Sequence, residues 1–333
     1  LYSASGGNID LMLRQLTRLG LATFFLILLA NISIRLLKKM SIGFYVGGVL
    51  LLLAVMYFGE VGKGAQRWLD LGFIRFQPSE FMKLAMPMML ASYLSDKVLP
   101  VGWKDLLVSA VLIMLPVLLI AKQPDLGTSL LVGSAGFFVL FLAGVRWKIL
   151  IILSLLVSLM APLLWKFALH DYQRGRILTM LNPENDPLGS GYHIIQSKIA
   201  IGSGGMYGKG WLNGTQSQLD FIPERSTDFI FSVFGEEFGL FGALLLVFLY
   251  LLIIYRGLYI AACSEETYGR LLAGALSLTF FVYLFVNTGM VTGLLPVVGV
   301  PLPLVSYGGT SMVTLMVGFG MIMVIGSAKR FLR

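Results

Sequence analysis

Glu224, Arg225 and Asp228 stand almost side by side, just ahead of Phe229-Ile230-Phe231, the polar step Glu236-Glu237 and the apolar run Leu240 to Tyr255. Charge at the mouth of a long apolar helix is expensive and usually functional. Asp228 falls where water gives way to lipid, and its plain alternative role is an N-cap for the helix that follows. A second polar segment, Gln66 to Glu80, carries Arg67, Trp68 and Arg75 before entering a helix at Pro78, a favoured first position. Arginine can clamp a phosphate with two parallel hydrogen bonds, which lysine cannot. Glu80 and Lys83 are three apart, so on a helix they share a face and can neutralise each other, as a site or as a buried structural pair. Asp125, beside Thr128 and Ser129, is placed to cap another helix.

Other candidates carry weaker signals. Gly202 to Trp211 is dense in glycine, but it lacks the Lys-Ser/Thr ending and the strand context of a phosphate loop. His170 and His193 are too far apart for a histidine metal motif. The stretch Asn287 to Ser311 is apolar yet rich in Pro and Gly. Such backbone at membrane depth must be buried in protein or line a cavity.

The elements that would hold these residues are membrane helices. Hydrophobic residues make up 57% and charged residues 13%, against about 25% charged in a soluble domain. Apolar runs long enough to span fall near 15–34, 42–58, 79–94, 105–121, 127–144, 149–169, 229–255, 271–290 and 307–327. A β-barrel would alternate apolar and polar residues instead. The fold class expected is therefore an all-α polytopic membrane protein, one transmembrane domain over 1–333. The opening Leu1-Tyr2-Ser3-Ala4-Ser5-Gly6 reads as the outer end of an earlier span. The single Cys263 cannot form an internal disulfide and reads as a packing residue.

Basic residues fix the expected orientation. Arg35 to Lys39, Lys97 with Lys104, Arg146 with Lys148, Arg256 with Arg270, and Lys329, Arg330 and Arg333 fall on alternate loops, as cytoplasmic loops should. That places the C-terminus in the cytoplasm and the long segment 170–228 outside, with Tyr192 to Ile201 as an interfacial or re-entrant helix. The net charge of +8 is not all spent on that rule, since Lys63, Arg67, Arg75, Lys122, Arg174, Arg176, Lys198, Lys209 and Arg225 lie on the outer side. Cations beside embedded carboxylates suggest an anionic ligand held at the membrane surface. Location excludes nucleic acid as a partner.

Five stretches, met in order, carry a family resemblance: Gln66-Arg67-Trp68 before Gln77-Pro78-Ser79-Glu80; Gln123 to Ser129; Ile195 to Gly205; Pro223 to Phe231; and Gly299 to Gly309. They resemble the SEDS family of shape, elongation, division and sporulation proteins. Gly214-Thr215-Gln216-Ser217-Gln218 and Glu224-Arg225-Ser226-Thr227-Asp228 are similar to the elongation (RodA) branch rather than the division (FtsW) branch. The resemblance implies a bundle of ten transmembrane helices, about nine plus the end of the first in this chain. It implies a peptidoglycan glycosyltransferase that polymerises lipid II on the outer face of the bacterial inner membrane during cell elongation, with a class B penicillin-binding protein as transpeptidase partner within the elongation machinery.

Carried over residue by residue, the family's essential aspartate falls on Asp228, with Arg67, Trp68, Arg75, Glu80, Lys83, Asp125, Lys198, Glu224 and Arg225 as substrate-binding candidates. Inverting transfer needs a base for the attacking hydroxyl and stabilisation of the departing undecaprenyl pyrophosphate, but no enzyme nucleophile. Asp228 fits the base, and the cations supply the electrostatics, with a divalent cation, Mg or Mn, as an optional aid. The rival expectations are a lipid II flippase and a non-catalytic scaffold of the elongation machinery. The charged motifs cluster on one face, whereas a translocation path should be polar through to the other.

Overall fold

A computed structural model describes the chain except residues 63–64, 71, 73–74, 164, 167–170, 187–188, 220, 223 and 329–333. Its helices are α1 (Ile9–Ala30), α2 (Ile34–Phe58), α3 (Pro78–Ser95), α4 (Trp103–Lys122), α5 (Leu126–Leu142), α6 (Trp147–Leu163), α7 (Asp171–Leu181), α8 (Ser190–Gly204), α9 (Thr215–Gln218), α10 (Ile230–Cys263), α11 (Thr267–Val291) and α12 (Gly309–Ser327). Each expected apolar run has its helix. Among the described residues α1, α2, α4, α10, α11 and α12 are long and apolar enough to cross a membrane. α5 and the 147–160 part of α6 are shorter apolar helices. The chain divides into two compact units, one formed by residues 1–13, 145–249 and 283–307, the other by 14–144, 250–282 and 308–333.

In the second unit α3 is the core element. Its residues are buried almost without interruption from Pro78 to Leu94, and it packs against α2, α4, α5 and α12. That is why α3 tolerates two charged side chains only as a neutral pair. By contrast α1 buries Ala22 alone among its residues and exposes Leu13, Leu16, Phe24 and Ile27. A helix apolar on its outward face suits lipid rather than water.

An all-α chain has no strands, yet three short segments here form a small antiparallel sheet, β1 (Glu60–Gly62), β2 (Ala65–Asp70) and β3 (Arg75–Phe76). Glu60 pairs with Trp68 and Asp70 with Arg75. The sheet satisfies backbone groups that an irregular loop beside apolar helices would leave unpaired. It also gives Arg67 and Trp68, as neighbours on one strand, opposite faces of β2.

In the first unit α8 contains the expected amphipathic helix and turns Ile194, Ser197 and Ala200 inward, with no exposure, and Lys198 and Ile199 outward. α10 is broken at Gly239, where φ is 64° and ψ is −163°, a conformation open essentially to glycine. The groups freed by the break are met by the segment after α8. Lys209 and Gly210 donate their N–H groups to the Glu236 and Glu237 carbonyls at 3.0 Å each, while Leu240 and Phe241 donate to the Gly205 and Met206 carbonyls at 2.9 and 3.2 Å.

Candidate active site

The candidate residues fall into two groups, each within one unit. In the second unit Asp125 caps α5, accepting from the Thr128 N–H at 3.2 Å and from its hydroxyl at 2.9 Å. The cap reading is correct but incomplete. The same carboxylate accepts from Gln77 Nε2 at 3.3 Å and faces Arg67 Nε at 3.6 Å, while Arg67 Nη2 donates to the Pro124 carbonyl at 2.6 Å. Strand β2 is thereby tied to the start of α5 through one guanidinium. Glu80 and Lys83 form the expected pair at 2.6 Å, both nearly inaccessible. Trp68, with Phe76, Phe81, Arg18 and Thr310, lines a mostly apolar cavity of about 990 Å³. Arg75 is paired through its backbone on β3, and its side chain lies outside the described residues, as does all of His170.

The first unit holds Lys198, Glu224, Arg225 and Asp228. Asp228 is half-buried and stands before Phe229, the residue that directly flanks α10, so it is one position further out than an N-cap. Its backbone is held from a distance. The Ser226 carbonyl accepts the Tyr307 N–H at 2.8 Å, the Thr227 carbonyl the Ser306 hydroxyl at 2.5 Å, and the Asp228 carbonyl Asn287 Nδ2 at 2.9 Å. Asn287 is fully buried and uses its other N–H on the Val300 carbonyl at 2.8 Å. These contacts fix the turn 224–229 against the segment 283–307.

The Asp228 carboxylate itself lies against Gly299. A Cβ there would come 3.4 Å from Asp228 Oδ2, and Gly299 has φ of 77°. Lys198 reaches over the same segment at Gly293, and Arg176 Nη1 donates to the Val297 carbonyl at 3.0 Å. One stretch of backbone thus presents Asp228 together with two cations. Arg225 lies with its guanidinium beside Gly6, and Glu224 is exposed, with φ of 55° and its carboxylate accepting from the Thr227 hydroxyl at 2.9 Å.

His193 stacks on Phe229, ring centroids 5.7 Å apart. Burial holds its pKa below the ordinary value, outweighing the attraction of Glu224 and Asp186. The imidazole next to the turn is therefore neutral at neutral pH. Among the described residues no group of three or more His, Cys, Asp or Glu could hold a metal ion.

No sequence pattern assigns a contact to Asn287, Ser306 or Glu236, and Lys209, expected as one of the outer cations for an anionic ligand, pairs with Glu236 instead. Glu236 has no exposure, and its Oε1 accepts from Lys209 Nζ at 2.8 Å, the Gln216 N–H at 3.0 Å and the Thr215 hydroxyl at 3.2 Å. The available signal was a polar side chain inside or beside an apolar run, which is expensive unless satisfied.

The family model FTSW_RODA_SPOVE, described as cell cycle protein, matches residues 2–330. The chain belongs to this family. It is 53% identical over 332 residues to the peptidoglycan glycosyltransferase MrdB of Escherichia coli K12, covering 100% of this chain and 90% of MrdB. Among solved structures it is similar to a chain of a peptidoglycan synthase complex described as coordinating polymerization and crosslinking, with TM-score 0.84, 32% identity and coverage of 97% and 91%. It is also similar to the rod shape determining protein RodA of Thermus thermophilus, with TM-score 0.73, 31% identity and coverage of 98% and 90%. The architecture of this FTSW_RODA_SPOVE member is thus that of RodA, as the motif resemblance implied.

Proposed function

We propose that this chain is a peptidoglycan glycosyltransferase of the RodA type, polymerising lipid II into glycan strands during cell elongation. The full-length identity to MrdB carries the activity. The setting of Asp228 supports the mechanism. A half-buried carboxylate whose backbone carbonyl is held by Asn287, lying against the segment 293–299 that Lys198 and Arg176 also reach, suits a general base beside an anionic substrate.

In that mechanism Asp228 takes the proton of the acceptor sugar's 4-hydroxyl as its oxygen attacks the anomeric carbon of the donor. The bond to undecaprenyl pyrophosphate breaks on the opposite face, so the anomeric centre inverts. Cations of the first unit offset the charge that develops on the pyrophosphate. Lys83, already neutralised by Glu80, is poorly suited to that task and better suited to holding α3 in an apolar setting. The proposed orientation puts the segment 170–228 outside and the C-terminus in the cytoplasm of the bacterial inner membrane, and the proposed partner is a class B penicillin-binding protein that crosslinks the new strand.

The test is polymerisation of purified lipid II by the chain with its partner. Asp228→Asn keeps size and hydrogen-bonding capacity but cannot accept the proton. Glycan synthesis should fall by about 10²–10⁴-fold, the range of lost acid–base catalysis, at unchanged folding and partner binding. Polymer at the wild-type rate from that variant would remove Asp228 from the chemistry.

A further inference from the structure

Bonds to the carbonyls of residues 226–228 hold the turn that carries Asp228, and the residue after Asp228 is gripped by a different element through its side chain. Phe229 is buried, and the His193 ring lies close to parallel with it, centroids 5.7 Å apart and planes at 23°. His193 belongs to α8, and α8 is itself fixed to the stretch that backs Asp228. One helical turn after His193, Ser197 is fully buried and its hydroxyl donates to the Val291 carbonyl at 2.5 Å. Ile194 is buried as well, and a Cβ on Gly293 would come 3.2 Å from its Cγ2. Residues four apart share a helix face. One face of α8 therefore rests on residues 291–293 and, a turn earlier, stacks on Phe229.

We propose that His193 is a positioning residue for Asp228, its flat ring clamping Phe229 so that the carboxylate one position earlier keeps its direction toward the acceptor hydroxyl. The inference rests on the general-base reading of Asp228 and adds to it a group that touches neither substrate nor reacting atoms. The separation and tilt are those of an offset-stacked pair, an arrangement that fixes the orientation of both rings. Imidazole adds a condition that a plain aromatic ring would not. Its Nδ1 is buried with no hydrogen-bond partner among the described residues, so in the stack the ring keeps its proton on Nε2. A proton on Nδ1 would be a buried donor without an acceptor, which is costly. The carboxylates that act on the ring are Asp186, ahead of α8, and Glu224, on the turn, and burial outweighs both. Lys198, on α8 itself, reaches Gly293. Once charged, the imidazolium is better placed toward the two carboxylates than against Phe229, so acid releases the clamp.

The experiment combines lipid II polymerisation by the full chain with its transpeptidase partner, read as kcat and KM on both sides of about pH 6.5, with amide hydrogen exchange of residues 224–230 at neutral pH. His193→Ala should lower kcat by about tenfold or more with KM little changed, the scale of a misaimed catalytic group, and should speed exchange across the turn. His193→Phe puts a ring back and should recover most of that kcat. Because phenylalanine does not titrate, the acid limb of this variant should fall with one proton, that of Asp228, where the wild type falls with two. Packing alone would give wild type and His193→Phe the same acid limb, and that result would overturn the proposal. So would wild-type turnover from His193→Ala, or loss of its activity with exchange across the turn unchanged. If His193→Ala does not fold, the two acid limbs decide alone. Failure of the base itself is read separately, from Asp228→Asn, while the exchange measurement reports on the clamp without any catalysis.

Discussion

Replacing Lys209 by Met should detach the segment 205–219 from α10. Glu236 has no exposed surface, and among the described residues its Oε1 accepts from Lys209 Nζ at 2.8 Å, a charged donor, and from the neutral Gln216 N–H and Thr215 hydroxyl. Removing one partner of a buried ion pair costs about 3–5 kcal/mol, because the other charge is left desolvated. The Lys209 side chain is 26% exposed, so water can enter where it stood, and screening brings the expected loss to about 2–4 kcal/mol. Glu236→Gln removes the charge but keeps an acceptor for Gln216 and Thr215, and the freed lysine can turn to solvent. It should cost only about 1 kcal/mol, the net worth of a hydrogen bond. The double variant should then be more stable than Lys209→Met alone, since no buried charge is left unpaired. The assay is the temperature at which half the detergent-solubilised protein stays monodisperse after heating. A silent Lys209→Met, or a Glu236→Gln variant that melts lower than it, would refute the reasoning and assign the carboxylate to the neutral donors.

Arg67→Lys keeps the charge but cannot span both the Pro124 carbonyl and Asp125, so lipid II polymerisation should fall by about tenfold, an activation cost near 1.4 kcal/mol; wild-type turnover from the Lys variant would show that only charge matters there. Gly299→Ala places a Cβ 3.4 Å from Asp228 Oδ2 at φ of 77° and carries about 1–2 kcal/mol of backbone strain; kcat should drop while partner binding is retained, as measured by polymerisation and co-purification. His193 has its pKa held below the ordinary value of 6.5 by burial, so the unfolded chain binds that proton more readily and stability should fall as pH drops below about 6.5. In His193→Gln that part of the pH dependence of melting should vanish.

The apolar runs were legible because a membrane helix declares itself by length alone, and α4 and α11 lie where hydropathy expected them, whereas α2 starts at Ile34, eight residues before its apolar run, and takes Arg35, Lys38 and Lys39 into its first turns. α1 starts earlier than its apolar run, at Ile9, because helical hydrogen bonds carry through Asp10, Arg14 and Arg18 whatever their polarity. The sheet at 60–76 was not legible. Its strands are three, six and two residues long, too short for a period of two to stand out. The break in α10 was equally silent, since Gly239 has apolar sequence on one side and a single Phe238 beyond the glutamates on the other. Within the candidate site, Glu80–Lys83 followed from helical spacing, and the Asp125 cap from residue type. The bonds from Asn287 and Ser306 to the turn at 226–228 depend on tertiary approach across 59 and 79 positions, which no local pattern records.

Those bonds end on carbonyl groups, and a carbonyl is the same in every residue. Exchange of the side chains at 226 or 227 would leave each bond in place, whereas Asn287 cannot be replaced by a residue without two donor hydrogens. The stretch from Glu224 to Asp228 is therefore not a portable cassette. Grafted alone onto another helical scaffold it would bring the carboxylate without its aim, because the instructions for aiming it are written in a different part of the chain.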